Sequence, residues 1–164
     1  MLGWFRKSEE QQLLKAIDQI GFRVTHVYDP KHDSPSFSYT TGFPDLLGQP
    51  EVILFGLPMD MMTMMLGELS DLCRDGGLRM ADGLQVAGLL QNHVCTLRAV
   101  KRENIVGDYF HFAMWYQKRQ AGTDMTEAFQ LVWPGAKTGL FPWEAGCTDE
   151  VRALQPALYE AAAA

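Results

Sequence analysis

Apolar residues recur at helical spacing in the first part of the chain, at Leu13, Leu14, Ile17 and Ile20. This spacing predicts an amphipathic helix that begins at Ser8 and ends before Gly21. The next residues, 22–28, alternate between apolar and polar side chains, which predicts a strand with one buried face. The pattern therefore changes from a helical to a strand period at Gly21.

Similar changes of period divide the rest of the chain. Strands are predicted at residues 37–42, 52–55, 84–90, 93–100 and 129–133, and helices at 58–75 and 109–120. Residues 52–55 contain no polar side chain, which indicates a central strand covered on both faces. Thr148 is placed to cap a last short helix. The order predicts an α+β fold, with a mostly antiparallel, curled sheet of five to six strands packed by two or three helices.

The length of the chain indicates one domain. A chain of 164 residues has the size of a typical domain, and it can bury about two-thirds of its unfolded surface without disulfides or metal ions. We expect residues 1–164 to form a single domain. Its core is expected at about residues 8–146, with a C-terminal helical tail at 147–164.

Charge and cysteine content narrow the classes of function. The net charge is −6 and the pI is about 5.1, and an acidic surface repels phosphate backbones, so we expect no nucleic-acid partner. No apolar run reaches the roughly 20 residues that span a bilayer, so we expect no membrane association. The three cysteines lack paired spacing, which favours free thiols and a cytoplasmic location.

Four segments together resemble a known family. They lie at residues 38–42, 50–58, 130–134 and 139–144, and they read Tyr-Thr-x-Gly, Pro-Glu-x-x-x-x-Gly-Leu-Pro, Gln-x-x-Trp-Pro and Phe-Pro-Trp. Through them the chain resembles the bacterial domain of unknown function (DUF) family 4262, over about residues 36–146. The resemblance implies a bacterial origin and an uncharacterised protein, and it implies no activity. The family usually has an acid after Trp-Pro, where this chain has Gly135.

A ligand pocket is predicted between two of these segments. One wall is the strand end at residues 39–42, whose hydroxyl groups and backbone suit a pocket mouth. The other is the aromatic loop at residues 133–144, which offers a stacking surface and an acceptor. The ligand-binding candidates are Ser38, Tyr39, Thr40, Gly42, Trp133, Trp143 and Glu144. Each also has an ordinary role as a strand, turn or core residue, and that structural interpretation is preferred.

Two functional hypotheses share this pocket. The first is a small ligand- or partner-binding accessory domain. The alternative is a small enzyme in which Glu144, His26 or Tyr39 transfers a proton, which requires these groups to converge. Burial of His26 between Phe22 and Val24 would argue against it. The sequence shows no metal-ligand spacing and no phosphate loop for a nucleotide or flavin, so no metal site is predicted and no cofactor is identified.

The helix at residues 58–75 is unusually rich in methionine. Methionine side chains are flexible and suit surfaces that repack around a partner. The interface candidates, for a protein partner or a homodimer, are Met59, Met61, Met64 and Met65. Of these, Met59 and Met64 are expected to be exposed, because the core stripe of the helix passes through its other face.

Overall fold

A computed structural model describes residues 2–30 and 33–161 of the chain and shows one mixed sheet at its centre. The strands are β1 (Arg23–Val27), β2 (Phe37–Thr41), β3 (Glu51–Phe55), β4 (Gln85–Leu90), β5 (His93–Ala99) and β6 (Ala128–Val132). The helices are α1 (Leu2–Ile20), α2 (Phe43–Leu47), α3 (Met59–Arg74), α4 (Gly107–Ala121) and α5 (Asp149–Leu154). Every predicted strand is present, close to its predicted ends.

The strands follow the order β1-β2-β3-β6-β5-β4 across the sheet. Neighbouring strands are antiparallel except β3 and β6, which run parallel. Parallel neighbours need a long crossover, which here contains α3, the β4–β5 hairpin and α4. Val52, Ile53 and Leu54 of β3 are fully buried. The prediction of an α+β fold with a mostly antiparallel sheet is therefore confirmed, as is its central strand.

Helices pack on both faces of the sheet, and the alternation of side chains along each strand decides which residues meet them. On one face, Leu54 of β3 belongs to the core that α3 completes with Met62. On the opposite face, Ile53 belongs to the core that α4 completes with Phe110. The predicted helices at 58–75 and 109–120 are thus the two that cover the sheet.

The short helix α2 is missing from the sequence prediction, and α1 begins earlier than predicted. α2 has five residues, too few for a periodic pattern to reveal. It starts behind Gly42, whose φ of +117° favours glycine, and a Cβ there would lie 2.6 Å from the Gly21 carbonyl oxygen. α1 begins at Leu2, so Ser8 lies inside the helix and does not cap it.

The described chain after residue 146 packs against the rest of the structure. α5 begins after Thr148, whose hydroxyl accepts a hydrogen bond from the Val151 amide at 3.3 Å, as the predicted cap requires. In the C-terminal segment, defined here as residues 155–161, Leu158 and Tyr159 are each 3% exposed. Both side chains belong to buried clusters that also contain residues of the sheet. The last three residues of the predicted tail lie outside the described residues.

Candidate functional site

The predicted strand end at Thr40 and Gly42 surrounds a buried carboxylate, that of Glu51. Three groups donate hydrogen bonds to it: the Thr40 hydroxyl at 3.0 Å, the Gly42 amide at 2.7 Å and the Phe43 amide at 2.8 Å. The Thr40 hydroxyl also accepts a hydrogen bond from the Val52 amide at 3.0 Å. Two predicted ligand-binding residues therefore position an acidic group that sequence reasoning did not select.

The environment of Glu51 changes its acidity. Burial raises its pKa to about 8, because a charge is costly in an interior of low dielectric constant. The two backbone amides and the Thr40 hydroxyl oppose this shift by donating to the charged form, while the nearby Asp45 adds to it. At pH 7 the Glu51 carboxyl is therefore neutral in most molecules.

Glu51 lies in the wall of an open cleft of about 540 Å³, formed by α2, the start of β3, α4 and the loop after α4. This volume is within the range of small-molecule sites. At its side, the Tyr116 hydroxyl donates to Asp45 Oδ2 at 2.9 Å and accepts a hydrogen bond from Gln120 Nε2 at 2.9 Å. Burial is the main cause that raises the pKa of Tyr116, so its hydroxyl stays protonated at neutral pH.

Carboxylates dominate the charge of this cleft, which we call the acidic cleft. Its wall contains the Asp45, Asp124 and Glu127 carboxylates beside the protonated Glu51, and none of the described residues that line it is Lys, Arg or His. Lys118 Nζ lies 3.3 Å from Asp124 Oδ1, but both side chains are largely exposed, so this ion pair is weak. The acidic cleft therefore carries a negative potential that attracts cations.

The aromatic loop lies at the opposite end of the sheet from Gly42. β2 is antiparallel to β3 and β6 is parallel to it, so Trp133 follows β6 at the edge where β3 ends and β2 begins. There the Trp133 Nε1 donates to the Phe55 carbonyl at 2.7 Å. The pocket predicted between residues 39–42 and 133–144 is not formed, because the strand directions separate its two walls.

Trp143 and Glu144 have structural partners within and beside the loop. The Trp143 ring stacks on Phe141 with centroids 4.9 Å apart, and the Arg98 guanidinium lies 4.7 Å from its centroid. Glu144 Oε2 accepts a hydrogen bond from the Phe141 amide at 2.7 Å. The predicted stacking surface is therefore already used by side chains of the protein.

Tyr39 is hydrogen-bonded to helix α4, which covers it. α4 is irregular at Phe110, which has φ −131° and ψ 33°. Two residues later, the Phe112 amide donates to the Tyr39 hydroxyl at 3.0 Å. Tyr39 is 1% exposed, and burial raises its pKa. It is a structural residue of the α4 face.

His26 lies on the other face of the sheet and joins three elements. Its Nδ1 is hydrogen-bonded to Ser38 Oγ and its Nε2 lies 2.9 Å from Thr63 Oγ1 of α3. Burial lowers the pKa of His26. Since Tyr39 faces α4 and Glu144 lies in the distant aromatic loop, the three catalytic candidates do not converge, and the geometry required by the enzyme hypothesis is not assembled.

The methionines of α3 divide into exposed and buried sets. Met59 is 57% exposed and Met64 is 55% exposed, as expected for interface candidates. Met61 is half-buried, and Met65 is fully buried in the core. Met65 is therefore a core residue, whereas an interface at Met59 and Met64 stays a prediction.

The described residues contain neither a cluster of metal ligands nor a membrane-spanning helix. Within residues 2–30 and 33–161, no group of three or more His, Cys, Asp or Glu side chains could hold a metal ion. In the same part of the chain, no helix combines the length and apolar character needed to cross a membrane. Cys73, Cys95 and Cys147 are free thiols.

Sequence reasoning missed Asp45, Glu51, Tyr116 and Gln120. The Glu of the Pro-Glu pattern was a usable signal, since an acid at the start of an apolar strand is a buried polar group that requires hydrogen-bond partners. Tyr116 and Gln120 gave no such signal, because helix α4 is polar and aromatic around most of its surface. Their meeting with Asp45 depends on how α4 packs.

Comparison with known proteins gives the family of the chain. A family model described as a domain of unknown function (DUF4262) matches residues 16–148, which include the acidic cleft and exclude α5. No curated protein and no solved structure matches the chain. The matched range covers most of the sequence and contains all four segments on which the resemblance was based. The chain therefore belongs to the DUF4262 family.

Proposed function

We propose that this protein is a binding domain for a small cationic ligand, which it holds in the acidic cleft. The proposal depends on one observation: the Asp45, Asp124 and Glu127 carboxylates, together with the protonated Glu51, line a concavity of about 540 Å³ whose described wall contains no basic residue. Like charges in one concavity repel each other, and a bound cation relieves that repulsion.

The groups that line the cleft favour a compact amine or guanidinium ligand. Asp45 supplies a carboxylate beside the Tyr116 hydroxyl, and Gln117 and Gln120 add amide groups from α4. Ala113 and Met125 give the wall an apolar portion that suits a short alkyl chain. A cation with hydrogen-bond donors and a short apolar body would use all three kinds of contact.

Titration with matched probes tests this proposal. We expect butylguanidinium and butylammonium to shift the amide resonances of residues around the acidic cleft, and we expect butanol, their uncharged counterpart, to leave them unchanged. Asp45→Asn removes one carboxylate at nearly constant shape, and it should weaken cation binding by about fivefold or more, with the remaining affinity falling as salt is added.

A control variant separates the cleft from the general acidity of the protein. Glu68→Gln removes an exposed carboxylate from α3 and should bind the cations as the wild type does. The proposal fails if butanol shifts the same resonances equally, or if Asp45→Asn and Glu68→Gln change the affinity to the same extent.

The proposal also includes the cellular location and the protein partner that the sequence predicts. The free cysteines support a reducing compartment, the predicted cytoplasm of a bacterium. The exposed Met59 and Met64 support a protein partner or a second copy of the chain on α3. A small-molecule-binding accessory domain is compatible with either.

A further inference from the structure

A second pocket, of about 380 Å³, opens on the face of the sheet that α4 leaves uncovered at β4 and β5. Thr96 and Arg98 of β5 point to this face, since their partners across β6 are Val132 and Gln130. Its lining also includes Trp143 and Glu144 of the aromatic loop, together with Asp82 and Gln85. We call it the Arg98 pocket. It lies three strands away from β2 and is separate from the acidic cleft.

The floor of the Arg98 pocket contains a hydroxyl group without a partner. Thr96 is only 4% exposed, and its Oγ1 forms no hydrogen bond with any described residue. Leaving such a group unpaired is costly, because burial removes its hydrogen bonds to water. The neighbouring strand places Gln85 directly opposite Thr96. A ligand hydroxyl that entered beside Gln85 would supply the missing partner.

The charges of the pocket are arranged against ionic ligands. The Arg98 Nε lies 3.1 Å from Asp82 Oδ1, and its guanidinium is held over the Trp143 and Tyr159 rings at 4.7 and 4.6 Å from their centroids. Arg98 is therefore held in place, and its guanidinium keeps its positive charge. The Glu144 carboxylate repels an anion, while the guanidinium repels a cation.

We propose that the Arg98 pocket binds a small uncharged polyhydroxylated molecule of monosaccharide size. Hydroxyl groups both donate and accept, and the pocket offers acceptors at Glu144 and Thr96 together with both functions at Gln85. Trp143, which lines the pocket, supplies an apolar contact for ring C–H groups. The volume of the pocket is within the range of small-molecule sites.

Ligand-observed NMR with D-glucose as the probe tests the proposal, with D-glucuronate and D-glucosamine as charged counterparts of similar shape. We expect saturable binding of glucose and clearly weaker binding of both charged sugars. Thr96→Val replaces the hydroxyl by a methyl group of similar size, and it should weaken glucose binding about tenfold. Its melting temperature should not fall, because valine favours strands and no hydrogen bond within the protein is lost.

Thr41→Val is the matched control. Thr41 of β2 is also fully buried with an unpartnered hydroxyl, so this variant makes the same chemical change far from the Arg98 pocket. It should bind glucose as the wild type does. The proposal is overturned if glucose does not saturate by about 50 mM, if Thr96→Val binds glucose normally, if both variants weaken binding equally, or if glucuronate or glucosamine binds as tightly as glucose.

Discussion

The Glu51 carboxylate acts at the residue scale as the cap of a helix to which it does not belong. Gly42 occupies the N-cap position of α2 and has no side chain to accept hydrogen bonds. The Gly42 and Phe43 amides donate to Glu51 instead, across nine and eight residues of sequence. One side chain therefore fixes the start of α2 and also lines the acidic cleft.

Glu51 should make the stability of the protein depend on pH. Its pKa is about 8 in the folded state and near 4.5 in the unfolded chain, so between these values the folded state holds a proton that the unfolded chain has lost. We expect the wild-type free energy of unfolding to fall as pH rises from about 5 through about 8. Glu51→Gln keeps the side chain neutral. The free energy of unfolding of this variant should therefore fall less over the same pH range, as measured by urea denaturation.

The comparison has its own control in Glu68→Gln. This variant removes an exposed carboxylate and should keep the wild-type dependence on pH. His26 contributes equally to all three proteins and therefore cancels in the differences. An unchanged pH dependence in Glu51→Gln would show that the carboxyl is not protonated in the folded protein near neutral pH.

Sequence alone located part of this site. It identified Thr40 and Gly42, because hydroxyl residues and a glycine at a strand end are a local pattern. It did not identify the carboxylate or its neighbours Asp45 and Tyr116, because they come together only when β3 pairs with β2 and α4 packs above them. Local patterns therefore indicated the strand end where the site lies, whereas its acidic and hydroxyl groups are brought together by tertiary contacts.

At the scale of the elements, two buried glutamines attach the C-terminal segment to the sheet and the loop that follows it. Gln130 of β6 donates to the Pro156 carbonyl at 2.9 Å and accepts from the Leu158 amide at 2.9 Å. Gln155 accepts from the Trp133 amide at 3.0 Å and donates to the Trp133 carbonyl at 2.8 Å. Each side-chain amide pairs with backbone as a neighbouring strand would. Gln130 and Trp133 of the Gln-x-x-Trp-Pro segment are thereby explained as structural residues.

Replacing Gln155 should destabilise the protein strongly. Gln155→Ala leaves the buried amide and carbonyl of Trp133 without partners, which should lower the free energy of unfolding by about 2–5 kcal/mol. Gln12→Ala, at an exposed position of α1, removes the same side chain and should change stability by less than about 0.5 kcal/mol. Equal effects of the two substitutions in urea denaturation would contradict this account of the C-terminal segment.

Gly135, which follows the Trp-Pro pair, also has an explanation at this scale. A Cβ at Gly135 would lie 3.1 Å from Thr138 Oγ1 and 3.3 Å from Val151 Cγ2 of α5. The Gly135 amide also donates to the Leu140 carbonyl at 2.9 Å, which closes the loop. An acidic side chain would therefore crowd both the turn and α5 in this protein.

Strands were predicted better than loops for a physical reason. Alternation and apolar runs record burial directly, so β3 is visible in sequence as a central strand. The C-terminal segment has no such periodicity, and its attachment through Gln130 and Gln155 is invisible without coordinates. The same applies to the loop from Trp133 to Glu144, whose position at the far end of the sheet follows from one parallel strand pair.

Hydrogen exchange should reveal unequal stability across the whole molecule. β3 and β6 are interior strands, whereas Leu13 is the one α1 side chain that the structure describes as fully buried. We expect the slowest amide exchange in β3 and β6, where opening requires global unfolding, and faster exchange in α1 and the edge strand β4. NMR-detected exchange that is as slow in α1 as in β3 would contradict this distribution.

The position of the C-terminal segment has a consequence for how the protein is cloned. The family match ends at residue 148 and begins at residue 16, yet Leu13 is fully buried and Leu158 and Tyr159 are 3% exposed. An expression clone trimmed to the matched range would remove these side chains and uncover the apolar surfaces beneath them. Boundaries for recombinant versions of this protein are therefore better drawn from its packing than from the extent of its similarity to relatives.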